Sequence, residues 1–324
     1  MRADALDLKW PDGLLPAAQL DQQWQWLQPE FLALMQRQRL PETLAQSLGS
    51  VVLHLAAWVS RARNPSNTFV LGINGAQGSG KSTLSSLLAL ALTHIHQQRV
   101  AVLSIDDLYK THDERQRMGH EIHPLLVTRG VPGTHDVAMG LELIHALRSA
   151  AATTVTRLPA FSKAIDDRLP PDAWPSFQGR PDIILFEGWC VGTTPEAETA
   201  LIEPTNRLER EEDADGRWRR YVNEQLQGSY KDLFAQLDGL LMLKVPDMAR
   251  VIEWRTQQEK QLSTQSDATD RRLLDAAAIE RFIMHYERLT RHNLAEMSSR
   301  ADLVLTLNQQ HGFSDVHINK PWLS

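Results

Sequence analysis

Apolar residues fall into two regimes along this chain. Up to about residue 66 they recur at three- and four-residue intervals: Trp24, Leu27, Phe31, Leu34 and Met35 form one run, and a second extends from Pro41 to Trp58. That spacing predicts helices. The breaker cluster Arg63-Asn64-Pro65-Ser66-Asn67 then closes the region. Beyond it the pattern changes to short continuous runs, Phe69 to Ile73, Val100 to Ile105, Ile183 to Phe186, Leu240 to Val245 and Leu303 to Leu307. Such runs, rich in Val, Ile, Leu and Phe, suit strands buried on both faces of a parallel sheet. Helix-length segments separate them. Two of these carry apolar stripes, Leu84, Leu87, Leu88, Ala91 and Leu92 in one and Ile279, Phe282, Ile283, Tyr286 and Leu289 in the other. The expectation is an α/β core with a mainly parallel five-stranded sheet, preceded by a helical N-terminal extension. The densely charged stretch from Arg207 to Arg220 reads as a solvated helix or loop.

Composition narrows the class. The 324 residues are 42% hydrophobic and 23% charged, which is ordinary for a globular protein and argues against disorder or a fibrous repeat. Forty acidic against thirty-four basic side chains give a net charge of -6, so no broad basic face for nucleic acid is expected and any anion site must be local. The single cysteine, Cys190, excludes an internal disulfide and a cysteine-based zinc cluster, and it fits a reducing compartment. No apolar run reaches the roughly 18 residues of a membrane helix; the best, around Val51 to Val59, contains His54. The opening Met1-Arg2-Ala3-Asp4 starts no signal-peptide core. A cytoplasmic protein without nucleic-acid or membrane partners is expected, as a monomer or homodimer.

The chemistry begins at Gly75-Ala76-Gln77-Gly78-Ser79-Gly80-Lys81-Ser82, followed by Thr83, which matches G-x-x-x-x-G-K-[ST]. It lies directly after the first strand-like run and directly before the Leu84 to Leu92 stripe, the strand, loop, helix order the motif requires. Glycines let backbone N–H groups turn inward toward phosphate oxygens, and the following helix presents its positive end. Lys81 reaches β and γ phosphates, and the Ser82 hydroxyl suits Mg²⁺. A dinucleotide fingerprint fits less well, since no G-x-G-x-x-G can be placed at this turn.

Acidic residues stand at two further strand ends. Asp106 and Asp107 follow Leu103-Ser104-Ile105, and Glu187 follows Ile183-Ile184-Leu185-Phe186. Functional groups gather at the carboxyl ends of strands in open α/β sheets. One such carboxylate suits an acceptor hydroxyl proton and the other Mg²⁺ or its water shell. For Asp106 the structural alternative is an N-cap.

Together the Gly75 to Thr83 loop, Ser104-Ile105-Asp106-Asp107-Leu108-Tyr109 and Leu185-Phe186-Glu187-Gly188-Trp189 resemble the P-loop small-molecule kinases of the phosphoribulokinase, uridine kinase and pantothenate kinase group, and within it the D-glycerate 3-kinase class. Further matches are Arg129-Gly130-Val131-Pro132-Gly133-Thr134-His135-Asp136, Pro159-Ala160-Phe161-Ser162-Lys163 and Glu253-Trp254-Arg255-Thr256-Gln257-Gln258-Glu259, so the likeness runs from about residue 68 to 310. The resemblance implies a P-loop NTPase three-layer sandwich, ATP and Mg²⁺, and transfer of the γ-phosphoryl group to a small hydroxyl-bearing metabolite. It implies Asp106 as general base, Lys81 and Ser82 as nucleotide and Mg²⁺ ligands, Glu187 as second acid, and Arg255 on a lid near 250–275, polar over Gln257 to Arg272. The chain departs from the family at Ser162, where members often carry aspartate.

A carboxylate acceptor such as D-glycerate calls for cations, and Arg129, Lys163 and Arg168 lie between the strand-end acids. A nucleoside would instead call for stacking aromatics, for which Tyr109 and Phe161 are available; Asp107 belongs to the same pocket. Other features carry less. His120 and His123 are three residues apart rather than the four of a zinc-protease helix. His94 and His96 point apart on a helix. The nine tryptophans are scattered without basic interleaving, which suits core packing. A regulatory nucleotide switch is the rival class, but the sole Asn-Lys pair, Asn319-Lys320, is followed by Pro321-Trp322 rather than by a guanine-reading aspartate.

Overall fold

The computed structural model describes residues 8–263 and 276–320. Two helices, α1 (Ala17–Arg37) and α2 (Ala45–Ala62), lead into β1 (Phe69–Gly75), α3 (Lys81–His96) and β2 (Val100–Ser104). Next come α4 (His112–Glu121), α5 (Val137–Ser149), β3 (Val155–Arg157), β4 (Phe161–Ser162), β5 (Asp167–Arg168), β6 (Ser176–Gln178) and β7 (Ile183–Gly188). The chain continues through α6 (Arg207–Glu212), α7 (Arg217–Gln227), α8 (Ser229–Phe234), β8 (Gly239–Lys244), α9 (Met248–Ser263), α10 (Ala276–Arg300), β9 (Leu303–Leu307) and β10 (Phe313–Ile318).

All five expected strands are present, and they pair in parallel in the order β9-β8-β1-β7-β2. A sixth, β10, adds an antiparallel edge beside β9. It escapes an apolar-run search because its sequence, Phe-Ser-Asp-Val-His-Ile, is half solvated on an edge. The continuous apolar runs are explained by the pleat, which sends alternate residues to opposite faces. Leu71, Ile73, Ile183, Leu185, Leu241 and Leu243 enter one core with α1, α2 and α3. Val70, Ile184 and Phe186 enter the other with α5, α7 and α8. The result is a three-layer α/β sandwich.

Leu27, Phe31 and Met35 of α1 and Val51 through Val59 of α2 are buried in the same core as β1 and α3. By length and composition the stretch Glu42–Ala62 is apolar enough to cross a membrane, contrary to the expectation that no run is long enough; here its side chains are spent on the core. His54 is accommodated within it by a 2.7 Å hydrogen bond to Ser50 O and by stacking on Trp10. The charged Arg207–Arg220 stretch is also not simply solvated. Glu209 is buried and receives Arg288 at 2.7 Å, while Asp213 and Arg219 are buried against each other at 3.0 Å. Mixed charge along a segment does not distinguish a solvated face from one whose charges find buried partners. The lid expected near 250–275 begins on α9, but residues 264–275 lie outside the described residues.

Because α1 and the sheet share one core, Phe31→Ala is expected to destabilise the whole protein by about 3–5 kcal/mol. Urea unfolding followed by circular dichroism should show one transition at lower midpoint, rather than early loss of a separate N-terminal unit.

Candidate active site

Register brings the site together. Ser104 of β2 pairs with Glu187 of β7, and Glu187 pairs with Ile73 of β1. The carboxyl ends of three adjacent strands therefore deliver the glycine loop, Glu187 and the Asp106-Asp107 turn to one edge of the sheet.

Gly78 and Gly80 adopt φ of 77° and 86°, the left-handed region that glycine occupies without strain. A Cβ on Gly78 would also lie 3.0 Å from Trp254 Cβ, because α9 packs directly on the loop. Arg255, the next residue, lies 5.3 Å above the Phe282 ring. Trp254 stacks on His311 at 4.0 Å, and His311 sits in the turn between β9 and β10. Lys81 opens α3. The Ser82 hydroxyl donates to Glu187 Oε1 at 2.8 Å, while Glu187 Oε2 is buried without a hydrogen-bond partner. Two hard oxygen donors, one orphaned in a buried position, fit a Mg²⁺ ion. Ser79 Oγ and Gln77 Oε1 are likewise buried without partners in the loop. The remaining loop residues, Gly75, Ala76 and Thr83, complete the turn from β1 into α3.

Asp106 lies opposite. Its Oδ1 accepts from the Tyr109 hydroxyl at 2.9 Å, and its Oδ2 accepts from Lys163 Nζ at 2.6 Å. Burial pushes this carboxyl up, but Lys163 and Lys81, with hydrogen bonds from Lys163 and Tyr109, outweigh it and hold the group well below the usual carboxylate range. It is ionised at any physiological pH. Asp107 behaves oppositely. Burial, reinforced by Asp106 and Glu187, raises it to about 6, although the Phe161 N–H donates to its Oδ1 at 3.0 Å. That bond ties the β4–β5 ribbon to the Asp106-Asp107 turn.

The expected acceptor residues are not equivalent. Lys163 reaches Asp106. Arg129 is committed to Asp166 and lies 5.6 Å above the Phe161 ring. Arg168 donates to Tyr109 O at 2.9 Å and stands 3.5 Å from Asp136. Tyr109 is buried, stacked on His135 at 4.5 Å and met edge-on by Phe161. Its ring faces are therefore committed within the fold, which removes it as a stacking platform for a nucleoside.

Several contributors carried no assigned role in the sequence. Gly133 N–H donates to Tyr230 Oη at 2.9 Å, and the Tyr230 hydroxyl and His135 Nδ1 share a hydrogen bond of 2.6 Å. Burial lowers His135 to about 3, so the ring is neutral. Tyr286 donates to Arg129 O and Trp189 Nε1 to Gly130 O, both at 3.0 Å, clamping the Arg129–Asp136 loop. His135 stood inside a matched motif, but Tyr286 reads as one more apolar position of a helical stripe. His123, with Asp213 and Asp215, also forms a compact polar group. Its Nδ1 accepts from Leu125 N–H, and Asp213 is satisfied by Trp218 and Arg219, a structural arrangement.

The sheet order, the glycine loop and the facing acids define a P-loop kinase. The chain is 32% identical over 225 residues to the uncharacterized kinase mug58 of Schizosaccharomyces pombe, covering 67% of this chain and 78% of that protein. It is 28% identical over 197 residues to the chloroplastic D-glycerate 3-kinase of Arabidopsis thaliana, covering 59% of this chain but only 41% of that enzyme's length. In structure it resembles D-glycerate 3-kinase from Cryptococcus neoformans, with a TM-score of 0.67, 24% identity, and coverage of 83% of this chain and 99% of that one. No protein-family model matches. The chain belongs to the P-loop small-molecule kinases that include D-glycerate 3-kinase and pantothenate kinase, and it is a phosphotransferase.

Asp107 makes a pH test available. The unfolded chain releases this proton near the ordinary 3.8 and the folded chain near 6, so folding loses stability as pH rises across that interval. Asp107→Asn keeps an acceptor for Phe161 and removes the charge. In the metal-free protein it is expected to gain on the order of 1 kcal/mol over wild type at pH 8, allowing for partial exposure. At pH 4 the gain should vanish, as thermal melts at the two pH values would report.

Proposed function

We propose that the protein is a D-glycerate 3-kinase, transferring the γ-phosphoryl group of ATP to a hydroxyl of D-glycerate to yield 3-phosphoglycerate and ADP. The observation that carries this reading is Asp106, an ionised carboxylate beside the phosphate loop whose immediate neighbour is the exposed cation Lys163. A carboxylate there suits a hydroxyl acceptor, and a cation beside it suits an acceptor that is itself an acid. The committed faces of Tyr109 argue against a nucleoside, and the relatives named for D-glycerate support the acid.

In this reading the loop from Gly75 to Ser82 binds the ATP phosphates through its backbone N–H groups and the start of α3. Lys81 contributes charge at the β and γ phosphates, and Arg255, on the helix packed against Gly78, adds to it as phosphoryl transfer proceeds. Ser82 and Glu187 would hold Mg²⁺, which when bound neutralises phosphate oxygens. Asp106 takes the proton from the acceptor hydroxyl as that oxygen attacks the γ phosphorus and the bond to the departing ADP oxygen breaks. Tyr109 holds Asp106 Oδ1, and Oδ2, which Lys163 meets at 2.6 Å, is the oxygen turned toward the acceptor side. The clamped Arg129–Asp136 loop holds Tyr109 in place through His135, which stacks on its ring. Positioning and charge account for the catalysis, as phosphoryl transfer requires.

An ADP-release assay across D-glycerate, uridine, pantothenate and ribulose 5-phosphate tests the assignment; turnover with D-glycerate is expected, and its absence alongside turnover of another acceptor would reassign the substrate. Asp106→Asn should lower turnover by about 10²–10⁴-fold while nucleotide binding persists. Lys81→Ala should lose both.

A further inference from the structure

In the protein without substrates both oxygens of the base are occupied: Oδ1 by Tyr109 and Oδ2 by Lys163. The two contacts differ in kind. Tyr109 is buried and held by His135, Phe161 and the Tyr109–His135 backbone bridge, so it stays. The Lys163 side chain is 61% exposed and lies at the tip of the β4–β5 ribbon, where Ile165 is exposed and Asp166 takes a φ of 55°. Asp106 is only 25% exposed, so the side of the pair that can move is the exposed ammonium on its long stem, which a second anion can draw away.

The neighbouring arginines cannot exchange so easily. Arg129 is committed to Asp166, Arg115 is buried against Asp166, Lys110 and Val127, and Arg168 holds Tyr109 O and Asp136. The ribbon's root is fixed to the turn by the Phe161 to Asp107 bond, so Lys163 swings about a set point beside the base.

We propose that Lys163 is a gate on the catalytic base, opened by an anionic group that the acceptor carries close to its reactive hydroxyl. The inference rests on Asp106 as the base of the reaction proposed above. An acceptor carboxylate entering beside Asp106 takes the ammonium of Lys163; the same movement frees Oδ2 for the hydroxyl proton and seats the acid. The acceptor class is therefore a hydroxy acid with carboxylate and hydroxyl on neighbouring or near-neighbouring carbons. A neutral polyol or nucleoside leaves Lys163 on Asp106.

The gate has a second consequence. Water carries no charge with which to draw Lys163 away, so it meets a capped base. Hydrolysis of ATP would need a bond from water oxygen to the γ phosphorus, rupture of the bond to the ADP oxygen and transfer of the water proton to Asp106, giving ADP and inorganic phosphate. With an ammonium bonded to Oδ2, that oxygen is a poorer acceptor for the water proton, and ATP is spared until an acid arrives.

The test compares wild type, Lys163→Met and Lys163→Arg. Lys163 is exposed, so both variants should fold, as circular dichroism would verify. Acceptor-independent ADP release is expected to rise about 10-fold or more in Lys163→Met, and calorimetric binding of D-glycerate to weaken about 10- to 100-fold while glycerol binding is unmoved. Lys163→Arg should restore both. Hydrolysis by Lys163→Met at the wild-type level overturns the gate whichever acceptor the enzyme uses. A wild-type enzyme that ignores D-glycerate but phosphorylates another hydroxy acid overturns the substrate assignment and supports the gate, whereas efficient turnover of a neutral acceptor by wild type overturns both.

Discussion

Three parallel strands in register carry the site. The pairing of Ser104 with Glu187, and of Glu187 with Ile73, means that the residues leaving the carboxyl ends of β2, β7 and β1 share one edge. A slip of one residue would turn Glu187 from the Ser82 side of the sheet into the opposite layer, because side chains alternate strictly along a strand. The 2.8 Å contact between Ser82 and Glu187 and the nearness of Lys81 to Asp106 both follow from that register. The apolar alternation that fills the two cores is what specifies it, so packing on each face of the sheet fixes the chemistry at its rim.

The rim brings three acids together at the ends of the strands. Asp106, Asp107 and Glu187 crowd together, and their titrations separate as a result. Asp106 is drawn down by two lysines that overcome its burial, while at Asp107 burial, with Asp106 and Glu187, outweighs the Phe161 hydrogen bond and Lys163 and pushes the group up. Two adjacent acids thus titrate in separate ranges: Asp106 stays ionised throughout, while Asp107 takes up a proton below about pH 6 and serves the backbone of the neighbouring ribbon. Such divergence is common where function stores unfavourable interactions. A chain with a formal charge of -6 can still bind anions, because its site cations are arranged around this small acidic group.

Much of this was legible in the chain. The glycine loop, the strand-end acids and the parallel runs each follow from local rules, since a phosphate loop needs its glycines in sequence and a doubly covered strand needs a continuous apolar run. Other features were not legible. Tyr109 and Phe161 are aromatic residues near the site, and only the fold commits Tyr109 to His135 and to Asp106. Tyr286 has the spacing of a core residue, yet its hydroxyl clamps Arg129. Glu209, Asp213 and Arg219 look like solvated charges until the fold buries them with their partners, Asp213 with Arg219 and Glu209 with Arg288, 79 residues away.

By itself, then, the sequence determined the α/β class, the phosphate-binding turn and the acids at the ends of the strands, because those depend on contacts within a few residues or on a periodicity the chain displays. The tertiary structure decided how the cations are divided: Lys163 is assigned to Asp106, Arg129 to Asp166 and Arg168 to Tyr109 and Asp136. It also decided that α2 is spent on the core and that a sixth strand closes the sheet. Pairing among like side chains is settled by distances between elements far apart in the chain, and no local pattern carries those distances.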